Sequence, residues 1–366
     1  MKTLLLLSGG SQVAQFIAAS LEGRRDGIRI VATNSVADDP ELWAYDRVYL
    51  VPPTSKQPEA WRARLEDIIT RERPDMIIPC RDDDVEPLAQ LSAGDPALYA
   101  RSVCGPVTIC RAFGDKWLSY LLARQHGLAF AESCLVSADP AELRAFVERV
   151  GWPVIAKPRD GFSSKGIFLI DTDAQLAAMR ERGNYVLQEY LGDPAHFARF
   201  KANLTGIGIP LFHTLHGEKH SLELMFSPDS TPHGVFATYN EQRFRARFVK
   251  PNVEAATIAL GAECNRVFSG LGWRGPLNIQ CQLDRHGIVK IHEFNGRYGA
   301  LAAERALLGF DEVSLGIKLF TGHEVPPSRW ATEPAKWACA QLVSRAPVPS
   351  YVDALTRDGV WSRPDA

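Results

Sequence analysis

Short, continuous apolar runs alternate with amphipathic stretches along the first third of the chain. The apolar runs lie at residues 4–7, 28–32, 47–51 and 76–79. Apolar positions recur with helical spacing between them, at residues 12–21 and 59–73. Runs of this length predict buried strands, and their alternation with helices is typical of β-α-β units around a parallel sheet. We therefore expect a small doubly wound α/β domain at the N-terminal end.

The rest of the chain has a different pattern, with longer and less regular strand-like segments. Helical spacing is found at residues 115–126, 140–150 and 254–271. Strands are predicted at residues 153–157, 185–189, 220–225 and within 277–294. The proline-rich tail from about residue 332 is predicted to wrap the surface irregularly.

Length and charge narrow the class of protein. The chain has 366 residues, which predicts two or three packed units. The 41 Lys and Arg residues against 43 Asp and Glu residues give a formal charge of −2, so we expect no nucleic-acid partner. With 46% hydrophobic and 23% charged residues, the composition is that of a globular protein and excludes disordered or fibrous classes.

The cysteines and the hydropathy of the sequence indicate in which cellular compartment the protein is expected. The seven cysteines are scattered and never form a Cys-x-x-Cys pair, which argues against a disulfide framework and against a zinc site. The apolar run at 4–7 is too short for a secretory signal, and the sequence has no run of about 18 apolar residues. We therefore expect a cytoplasmic protein with no membrane partner.

The segment from Val154 to Ile170 has the features of a phosphate-binding hairpin. A buried strand ends on Lys157, and a Gly/Ser-rich loop with a second lysine leads into another apolar strand. Glycines let backbone N–H groups approach phosphate oxygens, and ammonium groups add the charge that these donors lack. Gly166 is followed by Ile167 rather than by Lys-Ser/Thr, so the segment is not a Walker P-loop. Alone, the pattern also fits a solvated hairpin tip.

A second hairpin is predicted around the turn at residues 284–287. A tight turn there makes the numbers of opposing residues sum to 571, which places Asn278 opposite Glu293. Because side chains alternate between the two faces, five polar residues share one face. They are Asn278, Gln280, Gln282, Glu293 and Asn295. Their oxygens suit a hard cation such as Mg²⁺, although a plain solvent-exposed face has the same pattern.

Five short motifs in order carry a resemblance. They are Asp115-Lys116, the 153–158 strand with its Gly/Ser loop, Leu187-Gln188-Glu189, Asn278-Ile279-Gln280 and residues 293–297. Together they resemble the ATP-grasp superfamily, closest to the branch that contains the carbamoyl phosphate synthase large subunit and biotin carboxylase, over roughly residues 1–325. The resemblance implies a Rossmann-like pre-ATP-grasp domain followed by a two-lobed α+β ATP-grasp domain. The expected units are a first domain at residues 1–112, an ATP-grasp domain at 113–330 and a tail at 331–366. Within the ATP-grasp domain we expect a nucleotide-binding lobe (about 113–190), an insertion (192–217) and a metal-binding lobe (about 218–330).

The resemblance also implies roles for single residues. Lys116 and Lys157 would contact ATP phosphates, with Ser163, Ser164 and Gly166 in the loop that closes on them. Gln188, Glu189 and Leu191 would read adenine, Glu189 foremost. Gln280, Glu293 and Asn295 fall where the family holds Mg²⁺, for which Mn²⁺ is an alternative. Arg297 falls where a guanidinium faces the transferred phosphoryl group or the substrate carboxylate, so Arg297 and Lys157 are the expected catalytic residues.

Some segments depart from the family pattern. The insertion separates the adenine-reading strand from the next strand, where Lys219 stands at the ribose-binding position and Glu218 could substitute by a one-residue shift. The alternating arginines at 243, 245 and 247 predict either a phosphate-facing strand or a basic edge strand. The acidic run at 82–84 is predicted to cap a helix.

The leading hypothesis is an ATP-dependent ligase that joins a carboxylate to an amine, with both substrates small molecules, by way of an acyl phosphate. Compatible alternatives are a nucleotide-binding or regulatory protein of the same fold without turnover, and an NAD(P)-dependent oxidoreductase. The last depends on the turn at residues 8–11, but Gly-x-Gly-x-x-Gly is absent and no acidic residue ends the second strand. A homodimer is compatible with each of these.

Overall fold

The N-terminal unit is built on a parallel sheet. The structure is a computed structural model, and it describes residues 1–161, 166–208, 219–243, 246–340 and 345–364. The strands of this unit are β1 (Lys2–Leu7), β2 (Ile28–Asn34), β3 (Arg47–Leu50) and β4 (Met76–Pro79). Its helices are α1 (Gln12–Ser20), α2 (Pro58–Glu72), α3 (Asp82–Ser92), α4 (Pro96–Arg101) and α5 (Val107–Gly114). All four strands run parallel, in the order β3-β2-β1-β4.

Successive side chains of β1 are buried on opposite faces of this sheet, where they pack against different helices. Leu5 packs with Leu65 of α2 and Leu88 of α3 in one core cluster. Leu4 packs with Ile17 of α1 in another. A strand covered on both faces needs the continuous apolar run that the sequence contains. The predicted doubly wound α/β unit is therefore confirmed.

A small antiparallel sheet follows, and it holds the lysine-bearing strand. Its elements are α6 (Lys116–Gln125), β5 (Ser133–Leu135), α7 (Pro140–Val150), β6 (Val154–Pro158), β7 (Phe168–Ile170), α8 (Asp173–Arg182) and β8 (Tyr185–Glu189). Within the described ranges, the strand order is β5-β8-β6-β7. The predicted hairpin is confirmed, because β6 and β7 pair antiparallel from Val154 to Ala156. Part of the insertion forms a helix, α9 (Pro194–Gly206).

A larger antiparallel sheet carries the second predicted hairpin. Its elements are β9 (Lys219–Phe226), β10 (Pro232–Arg243), β11 (Ala246–Pro251), α10 (Ala255–Gly270), β12 (Gly275–Leu283) and β13 (Val289–Asn295). Two helices, α11 (Ala302–Leu307) and α12 (Glu312–Thr321), follow it. Leu260 and Phe268 of α10 pack against Ile279 of β12 in the main core cluster. Because α10 covers that face of the sheet, the polar residues of β12 and β13 lie on the other.

The register of the second hairpin differs from the prediction. Asn278 lies opposite Asn295 rather than Glu293, and Gln280 lies opposite Glu293. The register shifts just beyond this pair, because Cys281 lies opposite Ile291 and His292 is the extra residue of a β-bulge. Two residues separate the observed pairing from the predicted one. The connection between the strands is one residue longer than the count assumed, since Leu283 lies opposite Val289, and the bulge adds the second residue. Because the total shift at Asn278 and Gln280 is two residues, the predicted sharing of one face with Glu293 and Asn295 is retained.

The C-terminal tail is more regular than predicted. It contributes β14 (Ala338–Ala340) to the larger sheet, and then forms α13 (Pro349–Asp358) and β15 (Val360–Ser362). β15 pairs antiparallel with β3 and so adds a fifth strand to the N-terminal sheet, counted over the described residues. The prediction of an irregular tail is therefore wrong. In the described part of the chain, no helix is both long and apolar enough to cross a membrane.

We predict that Trp361 of β15 makes a large contribution to stability. Its ring is 6% exposed and lies 5.2 Å from the ring of Trp43 and 4.9 Å from that of Tyr351, centroid to centroid. Trp361→Ala is expected to lower the free energy of unfolding by about 3 kcal/mol, through lost burial and the cavity left behind. Trp337, which is 59% exposed, is the matched control, and Trp337→Ala is expected to cost about 0.5 kcal/mol. Equal losses in urea titrations of the two variants would contradict the docking of the tail.

Candidate active site

Lys157 lies where the small and the larger sheet meet. β6 carries it to the edge of the small sheet, where its Nζ donates to Oε1 of Gln188 on β8 at 2.5 Å. The same Nζ lies 3.5 Å from the backbone carbonyl oxygen of His292 on β13. The side chain of Lys157 therefore bridges the two sheets, and the space between them is called the cleft here.

The charge of Lys157 is destabilised in this position. The residue is 7% exposed, and the loss of solvation lowers the pKa of its ammonium group to about 8. Glu293 acts against this shift, and the positive charges of Lys116 and Lys219 reinforce it. A buried cation without a fully compensating anion favours a negatively charged ligand. A triphosphate is such a ligand.

Lys116 reaches the same cleft from the N-terminus of α6. Asp115 caps this helix by accepting hydrogen bonds from the backbone N–H groups of Trp117 and Leu118, which fixes the position of the adjacent lysine. The Nζ of Lys116 donates to the carbonyl oxygen of Gly161 and lies 4.0 Å from Oε1 of Glu293. Lys116 and Glu293 therefore face each other across the cleft.

The predicted metal ligands lie together on the cleft face of the larger sheet. Gln280 and Glu293 are directly opposite each other on neighbouring strands, and Asn295 lies two pairs further along, on the same face, opposite Asn278. One carboxylate and two amide oxygens are hard donors of the kind that Mg²⁺ accepts. Over the described residues, no group of three or more His, Cys, Asp and Glu side chains forms a metal site. With three oxygen donors, Gln280, Glu293 and Asn295 suit a cation that takes its other ligands from nucleotide phosphates and water.

Asn278, the fifth polar residue of the predicted face, has a supporting role. Its Nδ2 donates to Oε2 of Glu223 at 2.8 Å, and Glu223 forms a buried ion pair with Arg305 at 3.1 Å. Arg305 also pairs with Glu312 of α12 at 2.6 Å. This network ties the cleft face to α11 and α12. The amide of Asn278 is therefore hydrogen-bonded within the protein and links the sheet to this ion-pair network.

Arg297 follows β13 and lies against the N-terminal unit. Its Nη2 donates to Oδ2 of Asp82 at 2.8 Å and to Oδ1 of Asn295 at 3.2 Å. Its Nη1 donates to the carbonyl oxygen of Tyr298 at 3.0 Å. Asp84, two residues after Asp82, accepts from the backbone N–H of Arg81 as a helix cap. The capping prediction for residues 82–84 is therefore confirmed for Asp84, whereas Asp82 binds the predicted catalytic arginine.

The predicted adenine-reading residues lie at the end of β8. Both carboxylate oxygens of Glu189 accept from Nζ of Lys290 on β13, at 3.0 and 2.9 Å, and Oε2 also accepts from the backbone N–H of Glu132. Gln188 is bonded to Lys157, as described above. Leu191 lies just beyond the strand. Glu189 thus joins the two sheets, and its reading of adenine stays a prediction that requires it to exchange these partners.

The glycine-rich loop is described only at its ends. Ser163 and Ser164 lie outside the described residues. Gly166 adopts φ +73°, a conformation that side-chain-bearing residues rarely take, and a Cβ there would lie 3.1 Å from Cγ of Pro158. Glycine at 166 is therefore required for the chain to turn back into β7.

Two residues near the cleft were not among the predicted phosphate- or metal-binding residues. Lys219, the first residue of β9, lies on the same face as Ser221, which is opposite Gln280. Desolvation lowers the pKa of its amine, Arg247 lowers it further and Glu293 opposes both. Lys219 therefore extends the positive charge of the cleft, and a face count along β9 could have found it. His292 could not be found in this way, because the bulge alone brings it beside Lys157.

The alternating arginines do not form one strand. β10 ends at Arg243 and β11 begins at Ala246, opposite it, so a hairpin turn separates them. Arg245 and Glu218 lie outside the described residues. Arg247 follows in β11, on the cleft side of the sheet with Val249. The expectation that the arginines alternate along one strand is wrong, because Arg243 ends β10 and Arg247 lies in β11.

The glycine turn after β1 does not present a dinucleotide site. The hydroxyl of Tyr45 donates to the carbonyl oxygen of Gly9 at 2.6 Å. The carboxylate of Asp39 lies so close to Gly10 that a Cβ would be 1.8 Å from Oδ2. A carboxylate over this turn repels the pyrophosphate that a Rossmann turn binds. The structure thus disfavours the oxidoreductase alternative.

Partial matches relate the sequence to curated proteins, and no family model matches it. The formate-dependent phosphoribosylglycinamide formyltransferase of Pelobacter propionicus is 26% identical over 175 residues, which cover 48% of this chain and 41% of that protein. That of Chlorobaculum tepidum is 29% identical over 181 residues, covering 48% and 42%. The match thus spans less than half the length of these relatives.

Solved structures match nearly the whole chain. N5-carboxyaminoimidazole synthetase from Staphylococcus aureus aligns with a TM-score of 0.65 at 15% identity, covering 98% of this chain and 85% of that one. L-amino acid ligase from Bacillus licheniformis gives 0.65 at 16% identity, covering 93% and 79%. Biotin carboxylase from Campylobacter jejuni gives 0.60 at 14% identity, covering 90% and 72%. The chain has the ATP-grasp fold. The predicted fold class is therefore confirmed, while the roles of single residues in this ATP-grasp chain stay predictions.

We predict that nucleotide binding weakens as the pH rises above about 8. Lys157 loses its proton in this range in the free protein, whereas a bound triphosphate stabilises the charged form and raises its pKa. Binding above this pH therefore takes up a proton, and the apparent Kd is expected to rise by up to about tenfold per pH unit. Calorimetry in buffers of different ionisation enthalpy measures both effects. Lys157→Arg, which stays charged, is the control that should remove the slope. A wild-type Kd that does not change with pH would contradict the assignment.

Proposed function

We propose that the chain is an ATP-dependent carboxylate–amine ligase that forms ADP and phosphate. The observation that carries the proposal is the juxtaposition of Lys157 and Lys116 with Glu293 across one cleft. Phosphate-binding cations and an oxygen-donor set on opposite walls are what positioning a Mg²⁺-bound triphosphate requires. The matched proteins include a formate-dependent phosphoribosylglycinamide formyltransferase, a synthetase and an L-amino acid ligase, which agrees with a carboxylate as one substrate.

In the proposed reaction, a substrate carboxylate oxygen attacks the γ-phosphorus of ATP and ADP leaves. The resulting acyl phosphate is attacked at its carbonyl carbon by an amine, which expels phosphate and loses a proton. Lys157 and Lys116 neutralise charge on the phosphate oxygens, and Arg297 faces the transferred group or the carboxylate. A Mg²⁺ ion held by Gln280, Glu293 and Asn295 would neutralise further charge on the phosphates when bound.

The proposal extends to substrates and setting. An amino acid or a peptide-type carboxylate is the proposed acyl donor, and a small amine the acceptor. The cysteines at 80, 104, 110, 134, 264 and 281 are free and buried, which agrees with a reducing cytoplasmic location. A homodimer is part of the proposal and is tested by the mass of the purified protein in solution.

One screen tests the chemistry. Purified protein with Mg²⁺ and ATP is incubated with pools of amino acids and small carboxylates, with and without amines. ADP formation that requires the carboxylate, together with an adduct of the mass expected for an amide, supports the ligase. AMP formation would refute the acyl-phosphate route. Tight ATP binding with no ADP release in any pool favours the alternative of a non-catalytic nucleotide-binding protein.

We predict that Glu293→Ala lowers ADP formation by about 100-fold or more, because it removes the only carboxylate of the proposed metal set. Lys157→Ala is expected to lower it by at least about tenfold. Glu324, whose exposed side chain pairs with Lys318, is the matched control, and Glu324→Ala should leave turnover unchanged. Near-normal turnover in both Glu293→Ala and Lys157→Ala would contradict the assignment of the site.

A further inference from the structure

Asp82 belongs to the N-terminal unit, yet it contacts the predicted catalytic arginine. It is the first residue of α3, and its Oδ2 accepts from Nη2 of Arg297 at 2.8 Å. The side chain of Arg297 is 15% exposed and that of Asp82 is 31% exposed, so the pair is partly shielded from water. An ion pair with this degree of shielding is screened less than one on the surface.

Arg297 poses an electrostatic problem for the proposed metal set. The Nη2 that binds Asp82 also lies 3.2 Å from Oδ1 of Asn295, the oxygen through which this residue would hold Mg²⁺. A guanidinium stays charged at all accessible pH values, and a cation beside a cation site opposes metal binding. A compensating negative charge at the guanidinium relieves this repulsion. Asp82 is placed to supply it.

We propose that Asp82 is a positioning residue that neutralises Arg297 and thereby allows a divalent cation to bind at Glu293 and Asn295. This inference rests on the proposed function, because it takes those two residues as metal ligands. The site is then completed by the N-terminal unit, which contributes the counter-charge. Removing the charge of Asp82 should weaken metal binding, but it should not weaken the binding of an anionic nucleotide without metal, since the cleft becomes more positive.

These opposite effects define the test. The affinity for Mn²⁺ is measured by electron paramagnetic resonance with protein saturated with the non-hydrolysable analogue AMPPNP, and the affinity for AMPPNP alone is measured by calorimetry in EDTA. Asp82→Asn is expected to weaken Mn²⁺ binding by about tenfold, and to leave metal-free AMPPNP binding unchanged or tighter. Asp82→Glu, which keeps the charge, should bind Mn²⁺ within about threefold of the wild type.

Asp83→Asn is the matched control. Asp83 lies in the same helical turn and pairs with Arg81 at 2.9 and 3.2 Å, so its substitution removes the same charge from the same helix N-terminus. It should leave both affinities unchanged. A purely structural role of Asp82 would weaken Mn²⁺ and AMPPNP binding together.

Three results separate the inference from the proposed function. Unchanged Mn²⁺ affinity in Asp82→Asn, or a parallel loss in Asp83→Asn, overturns the inference alone. Wild-type protein that binds Mn²⁺ and AMPPNP as described but turns over no carboxylate overturns the ligase proposal alone. Wild-type protein that binds no Mn²⁺ with AMPPNP overturns both.

Discussion

A desolvated ammonium group held between two sheets is the feature on which the rest of the candidate site depends. Lys157 is buried between Gln188 of one sheet and the backbone of His292 in the other, and burial lowers its pKa to about 8. Such a group raises the energy of the unliganded protein and is stabilised by an anion. In the proposed function, this group makes the place where the two sheets meet a binding site for phosphates.

The fold supplies each neighbouring group from a different element. A helix cap at Asp115 fixes Lys116, and the left-handed backbone conformation of Gly166 lets the chain enter β7. The larger sheet presents Glu293 because α10 covers its other face and leaves the cleft face polar. The salt bridge between Lys290 and Glu189 joins the two walls at the end of β8. The contacts that hold these elements together are therefore also the contacts that position the residues of the candidate site.

The type of sheet and the face on which the polar residues lie could be predicted from the sequence, because local patterns determine them. The continuous apolar runs predicted the parallel sheet, and side-chain alternation placed Gln280 and Glu293 on one face. The exact pairing was not accessible, since neither the length of the connection after Leu283 nor a one-residue bulge at His292 can be read from an alternating pattern. Strands β14 and β15 were missed because each has three residues, too short for periodicity to reveal.

Contacts between distant segments were the least predictable part. The acidic run at 82–84 predicted a cap, and one of its members instead reaches Arg297, more than 200 residues away in the chain. Glu189 predicted an adenine contact, and in the structure it binds Lys290. Both cases depend on how units dock, which neither spacing nor propensity encodes.

The most direct test of the account is the position of a bound nucleotide. Crystals grown with Mn²⁺ and a non-hydrolysable ATP analogue would locate the metal by its anomalous scattering. The metal is expected in direct contact with Glu293, and the triphosphate between the metal and the ammonium groups of Lys116 and Lys157. A nucleotide bound elsewhere, for example at the glycine turn after β1, or a metal that does not touch Glu293, would contradict it.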